Sequence, residues 1–363
     1  MRLRSRMPPY PAIVVAMALL VAACSLAGPS DRTVVALDEA FASARPELAS
    51  ALESQSALGP WTWGLLARPI VLRVSLNESA GKAIDAALAE ERRSGQRTVL
   101  ATSPLIAKAI VGGGSWTGDP TLIVPEWRGS QMPGLWSATT DPVPAYSAAG
   151  HAAGAFVAAL AKQPGQPSCG VLFSESPSRP RAALTAFADA YAASSDGKPL
   201  NVRELDESER SGPGAAISPE DEAEADVKEL LGSDIRVLFV ALGASSGAAI
   251  RAAQRPGLAV GADFPSRETP SALAFRIFPD ERGLAKALAA ERQAMSRTGE
   301  AGLPGASTAV PSLLIAGPAA KDILAGRLDF ASFVSAALAR SKSGQRKGRR
   351  PLRVARASSF PGP

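Results

Sequence analysis

Two residue types that carry much of protein chemistry are almost missing from this chain. Cysteine occurs only at positions 24 and 169, and histidine only at 151. The usual zinc sites need several cysteines or at least two histidines, so none can be assembled and no metal is expected. Two cysteines cannot build a disulfide framework, and the fold must be stabilised by its core. A serine nucleophile would have one histidine to choose from. Gly243-Ala244-Ser245-Ser246-Gly247 has the spacing of a nucleophile elbow between a strand and a helix. In that arrangement the histidine follows the serine, whereas His151 precedes it in an Ala-rich stretch. Glycine and serine also suit any tight strand-to-helix turn. No catalytic residue and no cofactor is expected, and the chain does not read as an enzyme. Long apolar runs are missing too. Residues 12–23 form an unbroken apolar run of twelve, well short of the roughly 20 that span a bilayer.

That run has a different use. Arg2, Arg4 and Arg6 precede it, and it ends in Leu20-Val21-Ala22-Ala23-Cys24-Ser25. Charge, apolar segment and small residues in this order make a signal peptide over 1–23. The ending resembles a bacterial lipobox, which implies cleavage before Cys24 and a diacylglycerol on its thiol. Two or more acyl chains hold a protein at a membrane stably. Residues 24–32 then form a lipidated tether.

The formal charge of +5 hides an uneven distribution. Residues 340–363 hold eight basic side chains and no acid, while the body from 24 to 339 is net acidic. No nucleic-acid partner is expected of that body. The tail reads as irregular, either merely solvated or adhering to anionic lipid near the anchor. Cys169 lies in the apolar run Cys169-Gly170-Val171-Leu172-Phe173 and reads as an inert core thiol.

Between tether and tail, short β-type runs alternate with Ala-rich helical runs. Strands are expected at 33–37, 70–74, 98–101, 121–124, 135–139, 169–173, 200–204, 235–242, 258–262, 273–278 and 312–316. Helices are expected over 46–56, 78–93, 147–162, 246–254 and 280–295, after Pro104, Pro180 and Ser218, and last to about 338. Apolar rather than alternating strands imply parallel sheet covered on both faces. The expected class is α/β, with two doubly wound parallel-sheet lobes joined by a hinge. The first lobe covers 33–143, with part of 279–339 returning to it, and the second covers 144–278.

Several segments resemble one family. His151-Ala152-Ala153-Gly154-Ala155-Phe156-Val157-Ala158-Ala159-Leu160 is similar to the small-residue helix opening the second lobe of type 1 periplasmic binding proteins. The branch in question is that of basic membrane proteins and nucleoside-binding lipoproteins. Cys169 to Phe173, the stretch 182–191, and Val237 to Gly243 followed by Val260-Gly261-Ala262-Asp263 resemble that lobe's later elements. The resemblance implies a membrane-anchored binding protein that takes a small polar ligand between its lobes for an ABC permease. A nucleoside is the first expectation and a sugar the second. It also implies that Asp263 reaches the ligand.

Ligands of open α/β sheets sit beyond the carboxyl ends of the strands. Strand ends therefore nominate Asp38, Thr102, Ser103, Glu126 and Trp127 in the first lobe, and Ser174, Ser245, Asp263 and Phe264 in the second. Acids and hydroxyls there would pair with ligand polar groups, and aromatic rings would stack. Each of these side chains also suits a helix cap, a turn or the core. After the first strand the family has a polar loop, where this chain has Asp38-Glu39-Ala40-Phe41-Ala42-Ser43. That departure favours the alternative, an envelope lipoprotein that keeps the fold, binds no small ligand and acts through protein contacts.

Overall fold

The computed structural model describes residues 32–53, 70–74, 78–92, 98–113, 116, 118–130, 132–160, 166–205, 219–231, 234–263, 270–298, 307–321 and 329–348. Residues 1–31, which hold the expected signal, Cys24 and all of the expected tether but Arg32, lie outside them, as do Phe264 and residues 349–363.

The chain divides into two units, 1–139 with 281–308 and 140–280 with 309–363. The first begins with β1 (Arg32–Asp38), α1 (Glu39–Ala44), α2 (Pro46–Glu53), β2 (Ile70–Val74) and α3 (Glu78–Arg92). It continues through β3 (Thr98–Thr102), α4 (Pro104–Gly112), β4 (Thr121–Pro125) and β5 (Leu135–Asp141). The second opens with α5 (Val143–Ala159), then β6 (Ser168–Ser174), α6 (Arg181–Ala192), β7 (Leu200–Leu205) and α7 (Pro219–Leu230). After these come β8 (Ile235–Ala241), α8 (Ser246–Ala252), β9 (Ala259–Asp263) and β10 (Leu273–Phe278). The chain then returns to the first unit for α9 (Glu281–Thr298) and to its sheet for β11 (Ser307–Pro311). It finishes in the second with β12 (Leu313–Ala316) and α10 (Phe330–Gly348).

Both sheets have six strands, in the orders β11-β5-β4-β3-β1-β2 and β12-β10-β9-β8-β6-β7. Strands β1 to β5 pair in parallel, and so do β6 to β10. Edge strand β12 runs antiparallel to β10. Each unit is thus a doubly wound α/β sheet, as its apolar strands require. Every residue of β4 and of β6 is buried, the condition of a strand covered on both faces. In each order the winding reverses once, between β1 and β3 and between β6 and β8. Those reversals open the crevices where open sheets take ligands.

The second core is aromatic. Phe187, Phe239, Phe275 and Phe330 form a run of stacked rings at centroid separations of 5.0, 5.8 and 5.2 Å. They come from α6, β8, β10 and α10, so one stack ties four elements together. Helix α5 lies close against α6 because Gly150 and Gly154 share a face. A Cβ at Gly150 would overlap the Phe187 carbonyl, and one at Gly154 would crowd that of Tyr191. Buried Cys169 belongs to the same core, and burial pushes its thiol well above the usual range. In the first unit α9 packs on α2, and Glu281 accepts a hydrogen bond from the Leu48 amide at 3.1 Å.

Four expectations change. The first helical region is two helices, because the Asp38 carboxylate caps α1 directly after β1 by accepting from the Phe41 amide at 2.7 Å. Helix α5 starts at Val143 rather than 147, opened by prolines 142 and 144. Strand β11 was not anticipated. Its residues, Ser-Thr-Ala-Val-Pro, carry a single strongly apolar position. Helix α10 runs to Gly348, so residues 340–348 of the expected irregular tail are helical.

Candidate functional site

The two switch points differ in what occupies them. In the first unit, Asp38 ends β1 and Ser103 follows β3, and both are buried. The Ser103 hydroxyl donates to Oδ2 of Asp38 at 2.5 Å while Oδ1 caps α1. Both carboxylate oxygens are therefore engaged within the chain. Thr102 donates its hydroxyl to the Ala36 carbonyl at 2.8 Å, tying β3 to β1. Glu126 follows β4 in a left-handed conformation, φ 56°. Its carboxylate lies 3.1 Å from Arg128 and 3.8 Å from Arg45. Trp127 packs in the first core, and its indole N–H donates to the Ser130 carbonyl at 3.1 Å. Asp38→Ala removes a cap and strands the Ser103 hydroxyl, so it is expected to cost about 2 kcal/mol. A urea titration of this variant beside Ser103→Ala checks it. A loss under about 0.5 kcal/mol would mean the pair is dispensable.

The second switch point is built around a buried arginine. Arg179, in the loop after β6, donates from Nε to the Ser174 carbonyl at 3.1 Å. Its guanidinium lies against Gly243, the first residue of the 3-10 turn Gly243–Ser245. Gly243 has φ +61°, and a Cβ there would meet the Arg179 nitrogens at 2.9 and 3.0 Å. Glycine supplies both the backbone conformation and the space. The Ser174 hydroxyl is buried with no hydrogen-bond partner among the described residues. Such a group carries a cost that a ligand or water bond would relieve.

Asp263 ends β9 two strands further along the same edge. It accepts a hydrogen bond from the hydroxyl of Tyr146 at 2.8 Å. Tyr146 projects from α5, fully buried, with its ring edge-on to Phe239 at 5.1 Å. Burial, and then the Asp263 charge, push the phenol well above its ordinary 10.0, while Arg179 acts in the opposite direction. The phenol is therefore a neutral, fixed donor that orients the carboxylate. Arg276 on β10 is buried beside it, its guanidinium 4.7 Å from the Phe278 ring centroid. Burial lowers its pKa and Asp263 opposes that shift. The edge thus gathers a carboxylate, two guanidinium groups, a phenol and a spare hydroxyl, all from the second unit.

Ser245 sits at the end of the 3-10 turn, half-buried. Its neighbour Ser246 accepts from the Leu242 amide at 3.1 Å. The lone histidine, His151, pairs through Nδ1 with the Ser194 hydroxyl at 2.7 Å. Among the described residues no cluster of His, Cys, Asp and Glu could hold a metal, and no helix is long and apolar enough to cross a membrane.

Sequence reading missed Tyr146, Arg179, Arg276 and Arg45. Arg276 left a signal, an arginine inside the apolar strand Leu-Ala-Phe-Arg-Ile-Phe. Arg179 left a weaker one, a cation in the loop directly after a buried strand. Tyr146 left none beyond its place in a helix of small residues.

No family model matches the chain, and no curated protein resembles it in sequence. Solved structures do. A transcriptional activator of the comK gene from Bacillus halodurans is 12% identical over 86% of this chain and 99% of its own, with a TM-score of 0.52. A periplasmic ribose ABC transporter protein from Conexibacter woesei is 12% identical over 80% and 93%, with a TM-score of 0.49. A putative repressor of the LacI family from Corynebacterium glutamicum is 12% identical over 79% and 98%, at 0.47. The likeness to the activator shows a shared fold of two doubly wound units.

Proposed function

We propose that this chain is a membrane-anchored solute-binding lipoprotein. It takes a small polar ligand at the carboxyl ends of its strands and presents it to an ABC permease outside the cytoplasm. The observation that carries this reading is the edge of the second sheet, where Asp263 is oriented by Tyr146 beside Arg179, Arg276 and the unpartnered Ser174 hydroxyl. Oriented acceptors and fixed donors of this kind match a ligand rich in hydroxyl groups, a nucleoside first and a sugar second. Nothing in the set performs chemistry, so binding is the whole task. Cys24 supplies the anchor through its lipid.

A thermal-shift screen of the mature protein against nucleosides, bases, sugars and amino acids tests it. A ligand at 100 times its dissociation constant adds about 2.7 kcal/mol to stability. We expect one class to raise the melting temperature, and Asp263→Ala to abolish that rise without unfolding the protein. A silent screen on cooperatively folding protein would sink the reading. It would favour the second one, an envelope lipoprotein acting through protein contacts. The internal use of both Asp38 oxygens, which leaves the first switch point closed by its own side chains, already speaks for that alternative.

A further inference from the structure

The one histidine of the chain stands on α5, a helix that packs on both α6 and α10. Nδ1 of His151 pairs at 2.7 Å with the hydroxyl of Ser194, just past the end of α6. That serine has little room to move away. A Cβ added at Gly154, one turn further along α5, would come within 3.1 Å of its Cβ. Its amide donates to the Tyr191 carbonyl at 2.9 Å. From the third helix, Arg340 lies close enough for its charge to act on the imidazole.

The surroundings favour a neutral ring. His151 is half-buried, so charging it takes part of a cation out of water. Burial is the larger effect and repulsion by Arg340 the second. Together they hold the pKa below the ordinary 6.5, against the pull of the Ala190 carbonyl on α6. Other charges nearby are few. Helix α5 has no Asp, Glu, Lys or Arg, and neither do β6 and β12 beneath it. Arg236 and Arg276 adjoin Val237 and Phe275 of the core shared with α5, and so face the other side of the sheet. On α6, Arg181 is engaged by Glu204 and Asp189 is exposed. Asp196 and Lys198 follow Ser194 in the turn to β7, and from Phe330 to Ala339 the helix α10 is uncharged.

We propose that His151 is a pH-sensitive latch, which holds α6 and α10 to α5 while neutral and loosens that junction when protonated. The protonated ring cannot accept a hydrogen bond from Ser194, and its charge lies between an apolar core and a guanidinium. A group whose pKa is lowered on folding contributes stability that is complete above its ordinary pKa. The latch is therefore fully engaged above pH 6.5 and is lost as the pH falls below that value.

Because His151 is the only histidine, its C2 proton can be followed by NMR in the intact mature protein without ambiguity. A titration midpoint below 6.5 is expected, and Arg340→Gln should raise it. The second measurement is the melting temperature at about pH 7.5 and at about pH 5. His151→Gln keeps an acceptor for Ser194 and never becomes charged. The unaltered protein should lose roughly 2 °C more than this variant over that interval. A midpoint at or above 6.5 overturns the proposal, as do equal losses in the two proteins. If His151→Gln does not fold, the midpoint of the unaltered protein and its rise in Arg340→Gln decide, and a midpoint that stays put overturns the proposal.

Discussion

Phe239→Ala is expected to lower the unfolding free energy by about 3–5 kcal/mol. Its ring is fully buried at the middle of β8, stacked on Phe187 at 5.0 Å and on Phe275 at 5.8 Å. Those neighbours are held by α6 and β10, and Phe275 is itself stacked on Phe330 of α10. The walls of the resulting cavity are anchored on four elements and cannot easily close in, which places the cost at the upper end of the range. Phe239→Leu, which keeps most of the volume, should lose less than half as much. Urea unfolding followed by circular dichroism is the measurement. Tryptophan emission is a poor probe, because all five tryptophans precede residue 140. A loss below about 1.5 kcal/mol would show that the stack relaxes around the gap. The same variant bears on the site, since Tyr146 rests edge-on against Phe239 while it holds Asp263.

The second large effect comes from a glycine. Gly150→Val should destabilise the protein by about 3 kcal/mol or more, because the added side chain meets backbone rather than a movable side chain. To make room, α5 must separate from α6 along the face where Gly154 also lies. Gly81→Ala is the control. It also lies within a helix, α3, but with nothing within 4 Å of the added carbon. There alanine should stabilise, by up to about 1 kcal/mol, through the reduced freedom of the unfolded chain. Paired thermal melts decide the matter. Equal effects at the two positions would mean that the close approach of α5 and α6 does not govern stability.

How much of this was legible in the sequence depends on where the information lies. Buried parallel strands announce themselves through continuous apolar runs, so β6 and β8 fall within a residue of their expected bounds. A strand such as β11 draws its stability from its neighbour in the sheet rather than from its own residues, and left no local signal. Helix α1 follows from a cap that only acts once Asp38 stands at the end of β1. At the candidate site, the strand-end rule nominated Asp263 and Ser174 but not the groups that act on them. Tyr146 precedes Asp263 by 117 positions, and only the fold brings a helix hydroxyl to a strand-end carboxylate. Strand ends also nominated Asp38, Ser103 and Trp127. The first two bond to one another and the third lies in the core, as polar and aromatic residues at such positions often do.

The return of the chain to both units after residue 280 bears on how the protein is made. The first unit draws α9 from beyond residue 280, and its sheet takes β11. The second lacks β12 and α10, with the Phe330 ring that ends its aromatic stack, until the chain has passed residue 330. As the polypeptide emerges from the ribosome, the first unit is therefore complete only once β11 has appeared, and the second only once α10 has followed it. The closing segments of both units thus arrive together, in roughly the last quarter of the chain, although the buried cluster of the first unit is assembled from residues 34–135 alone.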